Sequence, residues 1–298
     1  MLNNTTFPGL PKLILSAAHL VQLWLGYIPH SAYISPEAVV ALISVLPNLV
    51  SLGLQFQSPQ SCPDRETQFP LPSKRSVITV LKVFHFKGVI EYLEDLLIRI
   101  DTPKLDKMNI NLFNQIDFVT PHFAQFIDRL PKLWKSDAHV KFDENYTHVR
   151  LRLGPGYRPL VITILCREPD WQLSAAEQIC NSSLHPLSTV EDLYIERQFF
   201  QPAWKNDTVE STLWWQLLLP FIAVKNLYLS EEFALGIAAA LQGLIDGRIT
   251  GVLPCLQNIF VKGFEPSGPF QKSIGQFVAA RELSGHIITI SVWNGLYY

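Results

Sequence analysis

A short apolar pattern that recurs along the chain constrains its fold more than any other feature. The pattern has apolar residues at its first, fourth and sixth positions. Its seven copies are Leu20–Leu25, Leu49–Leu54, Leu81–Phe86, Leu105–Ile110, Val190–Ile195, Val224–Leu229 and Leu256–Val261. The fourth positions lie 29, 32 and 24 residues apart in the first four copies, and 34 and 32 apart in the last three. Such regular self-similarity predicts stacked structural repeats.

The segments between the copies have the spacing of amphipathic helices. Val39, Leu42, Ile43 and Leu46 follow the i, i+3, i+4, i+7 order, and similar stripes occur over 89–100, 123–130 and 233–244. A strand followed by a helix cannot bury its apolar side alone, so neighbouring repeats must stack. We therefore expect an α/β fold over residues 1–298, a single irregular leucine-rich-repeat-like solenoid. A curved parallel sheet would form its concave side and helices its convex side.

Two stretches interrupt the regular spacing. Residues 58–75 contain four prolines and predict a loop insertion. Residues 143–165 carry Gly154-Pro155-Gly156 between two β-like stretches, which predicts a hairpin-like excursion or an irregular central repeat. The spacing between Met108 and Leu193 leaves room for about three further units of ~28 residues.

Local signals mark some helix starts and faces. Ser35-Pro36 and Thr120-Pro121 each place a hydroxyl side chain before a proline, the pattern of a helix N-cap. Three acidic residues, Glu91, Glu94 and Asp95, share one side of a predicted helix, and we expect that side to be solvated.

The residues that usually carry catalysis or bind metals do not form recognisable motifs here. The four cysteines are 104, 14 and 75 residues apart, whereas zinc-binding pairs are two to four apart. The eight histidines are scattered, and no nucleophile elbow, zinc-protease or phosphate-loop motif occurs. We expect a protein without enzymatic activity, cofactor or metal. The alternative is a hydrolase in the irregular centre, built on His139 or His148.

Charge and hydropathy limit the partners. Lys and Arg total 24 against 26 Asp and Glu, so no basic field favours nucleic acid. The apolar run from Leu213 to Val224 is too short to span a bilayer, and the N-terminal run lacks the form of a secretion signal. We expect a cytoplasmic or nuclear protein that binds neither nucleic acid nor membrane.

One column of residues is the candidate binding surface. In each repeat the residue between the last two apolar positions should face the concave side, because strand side chains alternate. In chain order these residues are Trp24, Gly53, His85, Asn109, Tyr194, Tyr228 and Phe260. All but Gly53 are candidate contacts, since aromatic residues are frequent anchors of protein interfaces. The alternative is that loops or a C-terminal segment cover this face, or that β-propensity alone explains the aromatics.

Several segments of the chain carry a family resemblance. They are residues 166–174 (CREPDWQLS), 187–195 (LSTVEDLYI), 223–233 (AVKNLYLSEEF), 263–268 and 283–286. Over about residues 28–293 the chain resembles the F-box-type leucine-rich-repeat-like family of mushroom-forming (basidiomycete) fungi. The resemblance implies an N-terminal F-box that engages the adaptor of a cullin-RING ubiquitin ligase, with the repeats recruiting the target.

The chain departs from that family at its start, which falls inside the repeat array without a recognisable F-box helix. Contact with the ligase adaptor is therefore expected only if an F-box lies upstream of Met1. The hypothesis is a protein–protein recognition module, the substrate-recruiting half of an F-box-type ubiquitin-ligase subunit. The alternative is a stand-alone repeat scaffold, or an inert truncated paralogue, with no ligase contact.

Overall fold

A computed structural model of the chain describes residues 2–3, 19–62, 74–113, 118, 120–130, 137–152, 159–197, 211–243, 251–263 and 268–293. Two compact units make up the chain. The first comprises Met1–Leu133 with Arg158–Thr163, and the second comprises Trp134–Tyr157 with Ile164–Tyr298.

Strands and helices alternate over parts of the described chain, whereas three strands follow one another over 137–165. The strands are β1 (Leu2–Asn3), β2 (Gln22–Ile28), β3 (Ser51–Phe56), β4 (Ser76–Val77), β5 (Val83–Gly88), β6 (Ile100–Asp101), β7 (Lys107–Leu112), β8 (Asp137–Phe142), β9 (Tyr146–Arg152), β10 (Pro159–Leu165), β11 (Asp192–Arg197), β12 (Asn226–Leu229), β13 (Asn258–Val261) and β14 (Thr289–Val292). The helices are α1 (Pro36–Ser44), α2 (Ile90–Leu97), α3 (Pro121–Arg129), α4 (Pro169–Ser183), α5 (Ser211–Leu218), α6 (Glu231–Gln242) and α7 (Pro269–Leu283). Short 3₁₀ turns occupy His30–Ala32, Pro59–Ser61 and His185–Thr189.

In the first unit the main strands lie in the order β1-β2-β3-β5-β7-β10. The pairs from β1 to β7 are parallel, and their register aligns the apolar positions of the sequence pattern. One aligned row is Leu23, Leu52, Phe84 and Met108, and the next is Leu25, Leu54, Phe86 and Ile110. Both rows are buried, Leu52 completely. Two residues each of β4 and β6 form a separate small parallel sheet.

In the second unit the order is β9-β8-β11-β12-β13-β14. Strands β8, β11, β12, β13 and β14 are parallel, whereas β9 is antiparallel to β8. Leu193, Leu227 and Ile259 align in one fully buried row. The prediction of a mixed α/β chain with a mostly parallel sheet is thus confirmed, while the curvature of a solenoid and the single domain stay predictions.

In each unit, helices pack against the buried face of the main strands. In the first unit the ring of Tyr92 on α2 lies 4.7 Å from that of Phe56 and 5.8 Å from that of Phe86. In the second unit Phe142 on β8 contacts Trp214 on α5 at 5.9 Å and Phe233 on α6 at 5.1 Å. The residues that alternate with these buried ones therefore point to the other face of each sheet.

In the central segment 143–165 the two predicted β-like stretches form strands β9 and β10. Its hairpin joins β8 to β9, with Val140 opposite Val149, and the chain reverses at 143–145. Gly154-Pro155-Gly156 lies outside the described residues, as does most of the predicted loop at 58–75.

A buried carboxylate provides the N-cap of α3, and this corrects two expectations. Thr120 makes no side-chain cap hydrogen bond, although Ser35 does accept one from the backbone N–H of Ala38 at the start of α1. Instead Glu94 on α2 accepts the backbone N–H groups of His122 at 2.8 Å and Phe123 at 2.7 Å. Glu94 is therefore buried rather than solvated, at 8% exposure. The first N–H groups of a helix lack partners and carry partial positive charge, so a carboxylate suits them.

Removing this carboxylate should destabilise the first unit. Burial raises the pKa of Glu94, and the hydrogen bonds from the two backbone N–H groups lower it by less. These hydrogen bonds therefore compensate only part of the cost of burying the carboxylate. We expect Glu94→Ala to lower the free energy of unfolding by about 1.5–3 kcal/mol, measured by urea denaturation, because two buried N–H groups lose their acceptor. The exposed Glu282→Ala serves as the control and should change it by less than about 0.5 kcal/mol. An equally small effect at Glu94 would show that the cap is not needed.

Candidate binding surface

In the first unit the predicted contact residues are adjacent across the sheet. The strand register places Trp24, Gly53, His85 and Asn109 in one row. The side chains of Trp24, His85 and Asn109 are half-buried. The Trp24 ring lies over Gly53 and reaches His85, with 5.4 Å between ring centroids. The Asn109 side-chain amide lies 3.2 Å from Nδ1 of His85. Trp24, His85 and Asn109 therefore form one contiguous patch.

Gly53 is needed for this arrangement. A Cβ at that position would lie 2.1 Å from Cε3 of Trp24, far inside van der Waals contact.

The surroundings of His85 favour its neutral form, because burial and then the nearby Lys107 lower its pKa. A neutral ring leaves one nitrogen able to accept the Asn109 amide hydrogen.

In the second unit the predicted residues form a continuous stack. We call His139, Tyr194, Tyr228 and Phe260 the aromatic row; they lie on β8, β11, β12 and β13 at matching register positions. Neighbouring ring centroids are 4.4, 4.2 and 4.7 Å apart, and the planes differ by 7°, 8° and 11°. Tyr194, Tyr228 and Phe260 were expected here. His139 was not, because β8 carries Ala138 where the pattern has a larger apolar residue.

A second row of side chains runs beside the aromatic row, two residues earlier on each strand. We call Asp192, Asn226, Asn258 and Thr289 the amide ladder. Nδ2 of Asn226 donates to Oδ1 of Asp192 at 2.7 Å, and Nδ2 of Asn258 donates to Oδ1 of Asn226 at 2.7 Å. The Thr289 hydroxyl donates to Oδ1 of Asn258. In the sequence, Asp or Asn recurs at the third position of the last three copies of the apolar pattern, and this recurrence could have indicated the ladder.

Charged residues surround His139 at one end of the aromatic row. Its Nε2 lies 2.8 Å from Oδ2 of Asp137, and its Nδ1 lies 3.3 Å from Oε2 of Glu196. Arg152 lies 3.3 Å from Asp137, and Lys141 lies 3.1 Å from Glu196. Burial by itself would raise the pKa of both carboxyl groups. The His139 hydrogen bonds and the neighbouring cations outweigh burial and lower the pKa of Asp137 and of Glu196.

The tyrosines of the row are held in the phenol form. Burial, then the neighbouring Tyr228 and Asp192, raise the pKa of Tyr194. Burial and then Asp192 raise the pKa of Tyr228. Both hydroxyls thus stay protonated at neutral pH, and a hydrogen bond links the two.

The surroundings of His139 and His148 bear on the alternative of a hydrolase in the centre of the chain. Both ring nitrogens of His139 face carboxylates, so neither is directed at a hydroxyl or thiol nucleophile. Burial, followed by Lys141 and Arg150, lowers the pKa of His148 to about 4, far from the neutral range in which a histidine base works best. Across the residues that the structure describes, no group of three His, Cys, Asp or Glu side chains is placed to hold a metal ion. Within the same residues, no helix combines the length and apolar character that a bilayer crossing requires.

The end of the described chain covers part of the aromatic row. Trp293 follows β14, and its ring centroid lies 5.6 Å from that of Tyr228 and 5.9 Å from that of Tyr194. The ring planes are tilted by 64° and 56°. The expectation that a C-terminal segment could cover this face is therefore met at these two rings.

Comparison with protein-family models, with curated proteins and with solved structures finds no match to this chain.

The charged end of the aromatic row should make stability depend on pH in the acid range. A carboxyl group whose pKa is lowered by folding stabilises the fold above its ordinary pKa, and this contribution is lost as the pH falls through the folded-state value. The ordinary values are 3.8 for Asp137 and 4.5 for Glu196. The variant His139→Phe keeps a ring in the stack but removes both hydrogen bonds, so the pKa of both carboxyl groups should rise.

We expect the wild-type chain to lose more unfolding free energy than His139→Phe between about pH 6 and about pH 3, measured by urea denaturation. Carboxyl ¹³C NMR titration would locate the change at Asp137 and Glu196. The exposed His286→Phe is the matched control and should follow the wild-type profile. Parallel profiles for wild type and His139→Phe would contradict the assigned electrostatics.

Proposed function

We propose that this chain is a non-enzymatic protein-recognition module with an irregular leucine-rich-repeat-like solenoid fold. It binds a protein target through the sheet face of the second unit that carries the aromatic row. The patch of Trp24, His85 and Asn109 is a separate candidate contact surface of the first unit. The observation that carries the proposal is the uninterrupted stack of His139, Tyr194, Tyr228 and Phe260 on the face opposite the helices.

The state of these side chains before binding supports the proposal. Neighbouring rings already restrain each other, so little side-chain entropy remains to be lost on binding. Tyrosine is also one of the residues that contribute most to the energy of protein interfaces. The nearby charges are paired with each other, as at Asp137 and Arg152, which limits the cost of desolvating them.

The family resemblance supports a narrower role. In that role the chain is the substrate-recruiting half of an F-box-type ubiquitin-ligase subunit, acting in the cytoplasm or nucleus. Contact with the ligase adaptor requires an F-box encoded upstream of Met1. The alternative, a stand-alone scaffold or an inert truncated paralogue, needs no such segment. Co-purification of the adaptor with an F-box-containing longer reading frame supports the ligase role, and its failure favours the alternative.

Site-specific photo-crosslinking tests the recognition surface itself. With benzoylphenylalanine in place of Tyr228, we expect capture of a defined protein from an extract of the source cells. Adding Tyr194→Ala should reduce its yield at least about tenfold, because an interface anchor contributes roughly 2 kcal/mol or more. The same probe at Trp171, a half-exposed position on α4, is the matched control. Equal capture at both positions, or capture insensitive to Tyr194→Ala, would refute the proposed surface.

A further inference from the structure

We infer that the aromatic row binds an aromatic side chain of the target, in the place that Trp293 now holds, so that β14 with Trp293 competes with the target. This inference rests on the proposed function of the aromatic row, and it adds the chemistry of the partner and the means of its regulation.

The first argument is the shape that the row presents. Each ring stacks face to face on its neighbours, with planes within 11° of each other, so the faces are covered and the edges remain. Ring edges carry partial positive charge and attract the negative face of another aromatic ring. A row of edges therefore favours an incoming indole or phenyl ring over a charged group.

The second argument is that such a ring is already seated there. Trp293 meets Tyr228 at 64°, the geometry of an edge-to-face contact, and Tyr194 at a tilt of 56°. It bridges two neighbouring rings rather than one. An intramolecular tryptophan thus shows which side chain the row accepts.

The third argument is that the segment carrying Trp293 is weakly held. Strand β14 is the last in the order of the second unit, and its backbone is paired with β13. Thr289, Ser291 and Val292 are exposed, Val292 at 50%. A strand with few buried apolar contacts opens at low free-energy cost. Just past the end of β14, the backbone N–H of Trp293 donates a hydrogen bond of 2.9 Å to the carbonyl oxygen of Val261.

The electrostatics of the row agree with an aromatic rather than an ionic partner. Asp137 and Glu196 at one end are already paired with Arg152 and Lys141. Along the amide ladder, the donor amides of Asn226 and Asn258 are used within the ladder itself. With these charged and amide groups already paired, the rings of Tyr194 and Tyr228 are the groups that contact the partner.

The test uses the full-length chain and a defined probe. The probe is a fluorescein-labelled peptide with the sequence Ser-Val-Trp-Asn-Gly, and binding is measured by fluorescence anisotropy. We expect Trp293→Ala to bind the probe at least about tenfold more tightly than wild type, since the competing indole is gone. The combination Trp293→Ala with Tyr228→Ala should lose this binding, as should a probe with alanine in place of tryptophan. Trp171→Ala, which removes a tryptophan elsewhere, is the matched control and should bind like wild type.

Either of two results would overturn the inference: equal affinity of wild type and Trp293→Ala, or binding of the alanine probe as tight as that of the tryptophan probe. Hydrogen exchange on the wild-type chain provides a second measurement that does not depend on the folding of any variant. Saturating probe should accelerate exchange at the amides of 289–293, and unchanged protection counts against displacement.

The inference and the proposed function can fail separately. If photo-crosslinking at Tyr228 depends on Tyr194 but capture is the same with and without Trp293→Ala, the recognition surface stands and the competition by Trp293 is refuted. If Trp293→Ala increases the capture of that same target, the competition is supported.

Discussion

Parallel strands in strict register determine the rest of this structure. A slip of one residue between two strands would exchange the two faces of the sheet for that strand. The large apolar residues oppose such a slip, because it would move one member of a buried pair such as Leu52 and Phe84, or Leu193 and Leu227, to the other face. The same register that buries these residues brings the side chains between them into rows on the other face. The candidate binding surface is therefore a geometric result of burying the core.

This dependence explains which parts were predictable from the sequence. The apolar pattern predicted strands β2, β3, β5, β7, β11, β12 and β13, and with the last three the positions of Tyr194, Tyr228 and Phe260. His139 was missed because its strand has the small Ala138 where the copies of the pattern have a large apolar residue. The burial of Glu94 was missed for a different reason: its partners, the N–H groups of His122 and Phe123, lie 28 and 29 residues away in sequence. A local pattern gives the face of a helix, but not which neighbouring helix end will meet it.

The aromatic row and the amide ladder also have structural value. Cross-strand pairs of aromatic or amide side chains each contribute modestly to sheet stability. Here they also restrain one another along four strands, so that order at Tyr228 depends on Tyr194 and Phe260. His139 joins this stack to the charges of Asp137 and Glu196. A surface built in this way is rigid before any partner arrives, which is the property that selective binding requires.

Gly53 shows what this construction implies for how the sequence can change over evolutionary time. The position lies on the side of the sheet away from the helices, where substitutions are usually tolerated, yet the indole of Trp24 fills the space above it. Any side chain at 53 requires a smaller residue at 24, and a smaller residue at 24 removes the contact with His85. Glycine at 53 is therefore the residue that allows Trp24 to keep its present place and its contact with His85.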